Sequence, residues 1–336
     1  MIGLHSQVAH ALQNRRLGDA VTFKNLTLFP LMDGVSGEPD YLTLEEVLKR
    51  NLVEVTEVSS AGSVNNLKVT NRASMPVFIM DGEELVGAKQ NRVVNLSILV
   101  PAEQTIVIPV SCVEAGRWHH VSPRFRTSRQ AMPVRDRARK SQQVYRSLSL
   151  MGEAFADQSE IWEDLDERMM YLDIDSDTRA MTDIYEHLAP ALEEYERAFR
   201  PVDGQTGVLA VINGRIVGMD VFDFAQTLRT FFPKLVRSYA LDCITFYQVE
   251  FTPVFAEAVR QFVERVAHAD SQTYPAVGEG EDVRFHAAGV VGSALVARGR
   301  MVHLCAFSQP DDHPNGFRDL FTRLSRASLR RERYIE

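Results

Sequence analysis

The sequence contains few cysteines and none of the spacings that hold a structural zinc ion. Cys112, Cys243 and Cys305 are the only three in 336 residues, and they are far apart, which excludes a disulfide-dense scaffold and a zinc-finger module. No Walker-type loop, GxGxxG, GxSxG, HExxH or EF-hand pattern occurs, so the usual signatures of nucleotide-binding folds and hydrolases are absent. A stable fold must therefore rest on a hydrophobic core.

Long apolar runs and an excess of positive charge are also absent. No stretch approaches about 18 uninterrupted apolar residues, and the N-terminus lacks the apolar centre of a signal peptide. The chain has 45 acidic and 37 basic residues and a net charge of -8, which disfavours binding to a nucleic-acid duplex. We expect a cytoplasmic protein with no membrane partner.

Composition and length are those of an ordinary globular protein. Hydrophobic residues make up 45% and charged residues 24%, which excludes wholesale disorder and coiled-coil arrays. The length suits about two average domains or one large α+β unit. We predict an N-terminal helical segment at residues 1–20, a single domain at 21–307 and a C-terminal helix at 315–336.

The predicted domain has two β-rich parts around a helical insertion. Residues 21–120 form short apolar runs that end at Asn, Gly, Pro or Ser, as strands do, with a short helix at 42–51. The run from Val21 to Phe29 alternates with one slip, which predicts a β-bulge. Residues 129–200 change to a helical period, and the second α/β half follows at 206–307.

Two local signals stand out in this second half. Asn213-Gly214 between apolar runs predicts a type I′ β-hairpin. Pro233 interrupts a helical stripe and predicts a kink or the start of a second helix. The whole pattern predicts an α+β fold with a mixed, mainly antiparallel β-sheet core, a helical insertion and flanking helices.

The middle of the chain separates charges by sign. Residues 124–146 contain eight basic residues and one acidic residue, whereas residues 153–177 contain ten acidic residues and one basic residue. Two antiparallel helices with pairing charged faces explain this pattern, and a phosphate-facing role for some of the arginines is the alternative.

The densest polar run lies between two predicted strands, at residues 81–92. It is longer than a hairpin connection requires. Glu83 and Glu84 could act as a general base or hold a divalent cation, while Lys89 and Arg92 could bind phosphate. A solvated loop with internal ion pairs explains the same composition.

A second polar run, at residues 108–120, follows an apolar strand. Cys112 could be a nucleophile beside a histidine, or a small core residue of the strand. Trp118 could stack on a ring or pack against the core. Of the adjacent His119 and His120, at most one could face a site.

Two shorter segments complete the candidates. Asp157 or Ser159 predicts a helix cap, with Gln158 in the first turn and Trp162 packed inward. Asp220 ends the second strand of the predicted hairpin, where a carboxylate most often begins a turn or caps the next helix.

These runs together resemble a known family. They read GEELVGAKQNR (Gly82 to Arg92), IPVSCVEAGRW (Ile108 to Trp118), QSEIW (Gln158 to Trp162) and VINGRIVGMDVF (Val211 to Phe222). In this order they resemble a bacterial domain family named for its association with ADP-ribosylglycohydrolase and rhodanese-phosphatase proteins, over about residues 17–307. The resemblance implies a cytoplasmic α+β domain that acts on or senses ADP-ribose or another nucleotide derivative.

We therefore predict that the runs converge on one pocket that binds or hydrolyses an ADP-ribose-like or other nucleotide-derived anionic ligand. The predicted catalytic residues are Glu83, Glu84, Glu114 and Cys112, with a carboxylate base favoured over the cysteine if the chain is a hydrolase. The predicted ligand-binding residues are Lys89, Gln90, Asn91, Arg92, Ser111, Arg117, Trp118, Gln158 and Asp220. Lys89, Arg92 and Arg117 would hold a diphosphate, and Trp118 would stack on a ring.

The alternative is a binding or assembly module without chemistry. In that case the polar runs form internal ion pairs that order the fold. The charged faces at residues 124–177 would then make a self-association surface, and the chain would form a homo-oligomer.

Overall fold

The computed structural model describes residues 4–287 and 289–309. Within them the helices are α1 (Leu4–Gln13), α2 (Leu44–Lys49), α3 (Val134–Met151), α4 (Gln158–Leu172), α5 (Met181–His187), α6 (Ala189–Ala198), α7 (Ala225–Thr245) and α8 (Ala256–Ala267). The strands are β1 (Arg16–Leu17), β2 (Val21–Phe23), β3 (Leu26–Met32), β4 (Leu42–Thr43), β5 (Val53–Glu57), β6 (Asn66–Asn71), β7 (Val77–Ile79), β8 (Glu83–Gly87), β9 (Arg92–Val94), β10 (Ile98–Val100), β11 (Thr105–Cys112), β12 (Phe125–Ala131), β13 (Gln205–Ile212), β14 (Arg215–Phe222), β15 (Ser271–Pro275), β16 (Glu281–Ala287), β17 (Val290–Ala297) and β18 (Arg300–Ser308).

The strands form three sheets in the described ranges. The largest has the order β1-β3-β13-β14-β18-β17-β16-β15, with β2 beside β3; a six-stranded sheet has the order β12-β8-β9-β11-β6-β5, and a small one the order β10-β7-β4. All strand pairs of the described residues are antiparallel except β4 with β7. The prediction of a mainly antiparallel α+β fold is therefore confirmed.

The large sheet is buried on both faces, which explains why β13 reads as a continuous apolar run. Val208, Ala210 and Ile212 pack into the core that contains α7, while Leu209 and Val211 pack into the core that contains α1 and α8. Successive side chains of a strand point to opposite faces, so one strand serves both cores.

Helix α3 joins the sheets. It packs on β14, β16, β17 and β18 of the large sheet, and its Lys140 ammonium donates to the carbonyls of Val94 and Asn95, at the end of β9 in the six-stranded sheet. Its charged residues are therefore held between two layers rather than at the surface.

Charge pairing between α3 and α4 is confirmed. Arg139 pairs with Asp164, and Arg168 pairs with Asp136 at 3.0 Å. The second pair is buried inside the helix interface, not at its rim.

Two predictions about strands are wrong. Val21 to Phe29 is not one bulged strand, because the chain turns at Lys24, whose φ is 50°, and β2 and β3 form a hairpin. Residues 81–92 are not a solvated loop, because Glu84 and Leu85 pair with Val93 and Arg92 in the β8–β9 hairpin.

The predicted hairpin at Asn213-Gly214 is confirmed, with φ of 50° and 70° at the two turn residues. Helix α7 continues through Pro233 as one helix, so no second helix begins there. Ten residues of the predicted N-terminal helical segment, Leu4–Gln13, form α1, and Arg16–Leu17 form strand β1 instead. The predicted C-terminal helix lies outside the described residues. No helix in the described ranges combines the length and the hydropathy needed to cross a membrane.

Candidate functional site

Three adjacent antiparallel strands bring the first two motif runs together. Arg92 of β9 lies opposite Leu85 of β8 on one side and Cys112 of β11 on the other. Because residues in register on neighbouring strands lie close in space, these runs share one region. We call the following set the motif cluster: Glu84, Lys89, Gln90, Asn91, Arg92, Cys112, Glu114, Arg117 and Trp118.

Glu114 and Arg117 form a buried ion pair in the motif cluster. Arg117 Nε and Nη2 donate to the two carboxylate oxygens at 2.7 and 2.5 Å, and the Asn91 N–H donates to Glu114 Oε2 at 2.8 Å. Burial would raise the pKa of Glu114, but the hydrogen bonds from Arg117 and Asn91 outweigh it, and the pKa lies below its usual value. Both carboxylate oxygens of Glu114 therefore already accept hydrogen bonds, and the group is a weak proton acceptor.

Cys112 is fixed by two amide side chains. Its thiol donates to Gln90 Oε1 at 3.1 Å. Gln158, at the start of α4, accepts from the Cys112 N–H at 2.8 Å and donates to the Cys112 carbonyl at 2.7 Å. Burial raises the pKa of the Cys112 thiol, although nearby Arg92 acts in the opposite direction. A thiol that stays protonated suits a core residue better than a nucleophile.

Lys89 and Arg92 are buried cations whose hydrogen-bond acceptors are neutral oxygens. Lys89 Nζ donates to the carbonyls of Ser60 and Ala61 at 2.9 and 2.6 Å. Arg92 donates from Nη1 to Gln90 Oε1 at 3.1 Å and from Nη2 to the Ser63 carbonyl at 3.3 Å. Neither cation forms an ion pair with a carboxylate in the part of the chain that the structure describes.

Burial lowers the pKa of Arg92, and its Nε is a buried donor without a partner among the described residues.

The ring of Trp118 lies against both cations. Lys89 Nζ is 5.2 Å and Arg92 Cζ is 5.7 Å from the ring centroid, within the range of cation–π attraction. Trp118 is 46% exposed, so its ring joins the buried cations to the surface. The adjacent His119 and His120 are both exposed.

Glu84 has the environment of a proton-handling group. It is fully buried, and the Thr182 hydroxyl donates to its Oε1 at 3.0 Å. Burial raises the pKa of Glu84 to about 7, while the hydroxyls of Ser128 and Thr182 act in the opposite direction. Its Oε2 has no hydrogen-bond partner among the described residues. A pKa near neutrality is the value that general acid–base catalysis uses best.

Four predicted site residues are not members of the motif cluster; Gln158 contacts the cluster through Cys112, and the other three have different partners. Glu83 forms a buried ion pair with Lys234 of α7 at 2.6 Å. The Ser111 hydroxyl donates to Asn95 Oδ1 at 2.7 Å. Asp220 belongs to a separate network and accepts from Arg137 at 2.6 Å.

That separate network lies under α3 and escaped the sequence analysis. Arg137 Nη1 and Nη2 hold Asp220, and Lys140 holds Asp81 at 2.8 Å. Burial would raise the pKa of Asp220, but Arg137 and His303 outweigh it, and its pKa lies well below the usual value. The excess of basic residues at 124–146 was the signal in the sequence for this network. It did not identify the buried carboxylates that pair with Arg137 and Lys140.

The network also follows a row across the large sheet. Arg284, Ser293, Cys305 and Asp220 are successive partners in register on β16, β17, β18 and β14. Among the described residues no three His, Cys, Asp or Glu side chains are grouped to hold a metal ion. A divalent cation thus has no ready set of ligands beside Glu83 and Glu84.

Comparison with known protein families gives a match over most of the chain. Residues 14–307 match the model of ARPP-1, the ARG and Rhodanese-Phosphatase-superfamily-associated Protein domain. That description does not expand ARG, so a link to ADP-ribosylglycohydrolases goes beyond it. Searches of curated proteins and of solved structures found no match. Since the family model spans most of the chain, the chain belongs to the ARG and Rhodanese-Phosphatase-superfamily-associated Protein domain family.

Proposed function

We propose that the chain binds a small anionic ligand derived from a nucleotide, of the ADP-ribose type, at the motif cluster. The observation that carries the proposal is the pair of buried cations, Lys89 and Arg92, which are 9% and 0% exposed and hydrogen-bonded to neutral oxygens. Buried charges are normally paired because their desolvation is costly. The carboxylates of Glu57 and Glu114 attract Arg92 without hydrogen-bonding to it, so a phosphate group would supply the directly bound anion that both cations lack.

The loop at residues 58–64, between β5 and β6, covers these cations. Its carbonyls at Ser60, Ala61 and Ser63 accept the hydrogen bonds of Lys89 and Arg92. Gly62 has a φ of 81°, a conformation that glycine adopts without strain. The ligand enters when this loop moves aside, and phosphate oxygens then replace the carbonyls as acceptors.

Trp118 provides a stacking surface for the base or ribose end of the ligand. Its ring reaches solvent while touching both cations. An aromatic ring next to two cations suits a molecule that joins a flat base to a diphosphate.

If the ligand is hydrolysed, Glu84 accepts the proton of the attacking water. Glu83 is held by Lys234 and Glu114 by Arg117, whereas Glu84 keeps a free carboxylate oxygen and a pKa of about 7. Glu84 connects to Asn91 of the motif cluster through Thr182, whose hydroxyl donates to Glu84 and accepts from Asn91 Nδ2 at 3.1 Å. A reducing cytoplasm fits the three free cysteines.

A thermal-shift experiment with ADP-ribose, NAD and divalent cations tests binding. Ligand at about a hundred times its Kd stabilises a protein by about 2.7 kcal/mol, so wild type should melt several degrees higher. Lys89→Gln should abolish the shift, whereas Lys49→Gln, which removes an exposed lysine of α2, should leave it unchanged. A wild type with no shift, or a full shift in Lys89→Gln, contradicts the proposal.

Hydrolysis is tested separately with Glu84→Gln. This variant should bind the ligand as wild type does and fail to turn it over. If wild type hydrolyses ADP-ribose and Glu84→Gln does so at the same rate, Glu84 is not the base.

A second candidate is a non-catalytic assembly module. The observation that favours it is the Glu114–Arg117 pair, whose two hydrogen bonds leave both side chains occupied without a ligand. This candidate expects no shift with any ligand of the panel. It also expects a mass above that of one chain in solution, measured by light scattering.

A further inference from the structure

A cleft between the C-terminal turn of α6 and the edge strand β12 lies outside the motif cluster. It has a volume of about 210 Å³, opens to solvent and is lined by Arg129, Glu193, Glu196, Arg197 and Arg200. Pockets for drug-sized ligands are usually about 300 Å³ or larger. The cleft therefore suits a small group rather than a whole nucleotide.

The strand β12 delivers Arg129 to this cleft through an irregularity. Its pairing with β8 shifts in register between Thr127 and Ala131, which places an extra stretch of strand at the sheet edge. The guanidinium of Arg129 is 72% exposed and lies 3.0 Å from a carboxylate oxygen of Glu196.

The charge in the cleft is unbalanced toward positive. Glu196 is shared by Arg129 and by Arg237 of α7, which lies 3.3 Å from its other oxygen. Among the described residues Glu193 pairs only with Arg197, at 4.0 Å. Three guanidinium groups and two carboxylates therefore line the cleft, and the buried guanidinium of Arg237 also pairs with Glu196, in a chain whose net charge is -8. A local positive cleft on an acidic protein concentrates small anions.

Two of the arginines keep donors available. Arg197 donates its Nε to the Glu193 carbonyl at 3.2 Å, and Arg200 donates its Nη1 to the Glu196 carbonyl at 3.1 Å. These bonds anchor each guanidinium to the last turn of α6. Arg200 Nη1 also reaches the Phe199 carbonyl at 3.4 Å, whereas its Nε and Nη2 have no acceptor within the ranges the structure describes.

We propose that this cleft binds a diphosphate group, held by Arg197 and Arg200 with Arg129 at its edge. Guanidinium groups bind phosphate oxygens through paired hydrogen bonds. Arg197 in the last turn of α6 and Arg200 just after the helix are both anchored to carbonyls of that turn, and each can take one phosphate. The site is separate from the motif cluster and does not depend on the proposed function.

Calorimetric titration with inorganic pyrophosphate tests the site. Arg197→Ala/Arg200→Ala should weaken this binding about tenfold or more, because two charge-assisted contacts are lost. The control is Arg260→Ala/Arg265→Ala, which removes the same charge from exposed positions of α8 and should bind as wild type does. Orthophosphate should bind more weakly, since it meets one arginine at a time.

The proposal fails if wild type shows no saturable binding, if the α6 double variant binds as wild type does, or if the α8 control loses affinity equally. The Lys89→Gln variant separates the two sites. Pyrophosphate binding that persists in Lys89→Gln and disappears in Arg197→Ala/Arg200→Ala belongs to the cleft, whatever the thermal shifts with ADP-ribose show.

Discussion

The carboxyl of Glu84 illustrates how burial sets the chemistry of a single residue. Its pKa rises from 4.5 to about 7 because the ionised form loses its hydration. In the folded chain this group therefore binds a proton more tightly than in the unfolded chain. The free energy of unfolding falls as the pH rises from about 4.5 to about 7, by up to about 3 kcal/mol from this group, and the loss is complete above that range.

Glu84→Gln should remove this loss, because an amide does not ionise. We expect the variant to gain stability relative to wild type as the pH rises from about 5 to about 8, measured by urea denaturation at each pH. Glu186→Gln, at an exposed position of α5, should follow the wild-type profile. Parallel profiles for Glu84→Gln and wild type would show that the carboxylate is not destabilised by burial.

At the same scale, the sequence predicted the residue types of the candidate site better than their partners. Lys89, Arg92 and Trp118 come together because β9 and β11 are neighbours in one sheet. Glu83 and Asp220 do not join them, because each is held by a cation from a distant helix, Lys234 and Arg137 respectively. Such pairings cross more than eighty residues, and no local pattern records them.

Among the elements, two hairpins differ in how strictly they require glycine in the turn. Glycine is required in the β13–β14 hairpin and only preferred in the β17–β18 hairpin. The turns at Asn213-Gly214 and Arg298-Gly299 have the same two-residue length and positive φ at both residues. A Cβ on Gly214 would overlap the carbonyl oxygen of Thr252, whereas a Cβ on Gly299 would meet no atom nearby.

The two alanine variants should therefore differ. Gly299→Ala should cost about 1–2 kcal/mol, from left-handed backbone strain alone. Gly214→Ala should cost clearly more, because the Thr252 segment must also move. Equilibrium denaturation measures the free energy of unfolding of both variants. Equal losses of stability would mean that the Thr252 segment moves aside without a cost in free energy.

Element boundaries were predictable where the signal was local. The type I′ turn at Asn213-Gly214 depends on two adjacent residues, and the prediction is confirmed. The β8–β9 hairpin was mistaken for a loop because its strands carry charged residues. Glu83 is buried through an ion pair to Lys234 of α7, and among the described residues Glu84 and Arg92 are buried with hydrogen bonds alone, so tertiary contacts override the polar composition.

For the whole molecule, the ion pairs under α3 should couple the large sheet to the six-stranded one. Arg137 bridges Asp220 of the large sheet and Asp81, while Lys140 bridges Asp81 and the end of β9. Removing one member of such a buried set leaves an uncompensated charge, which typically costs about 3–5 kcal/mol.

We expect Asp220→Asn to destabilise the chain by about that amount, about 3–5 kcal/mol, in one transition. Trp118 and Trp162 lie by the six-stranded sheet and on α4, so their fluorescence should change together with the circular dichroism of the whole chain. Asp203→Asn, at a fully exposed side chain, should be neutral. Separate transitions for the two signals would show that the layers unfold independently.

The class of the molecule was predictable from its alternating and helical periods, whereas the layering was not. The pairing of β3 with β13 joins residues 26–32 to residues 205–212 across the helical insertion. This contact depends on matching apolar faces that are far apart in the chain, and the register of the two strands cannot be predicted from a single sequence.

The burial of the three cysteines has a practical consequence. Cys112 lies on β11, Cys243 on α7 and Cys305 on β18; all are buried, and burial raises the pKa of each thiol, that of Cys305 to about 12. Because the thiolate is the form that reacts with maleimides, the native thiols should not react with them in the folded chain. A cysteine introduced in the loop at residues 58–64 would then carry the only fluorophore, and the movement of that loop could be followed without replacing any native cysteine.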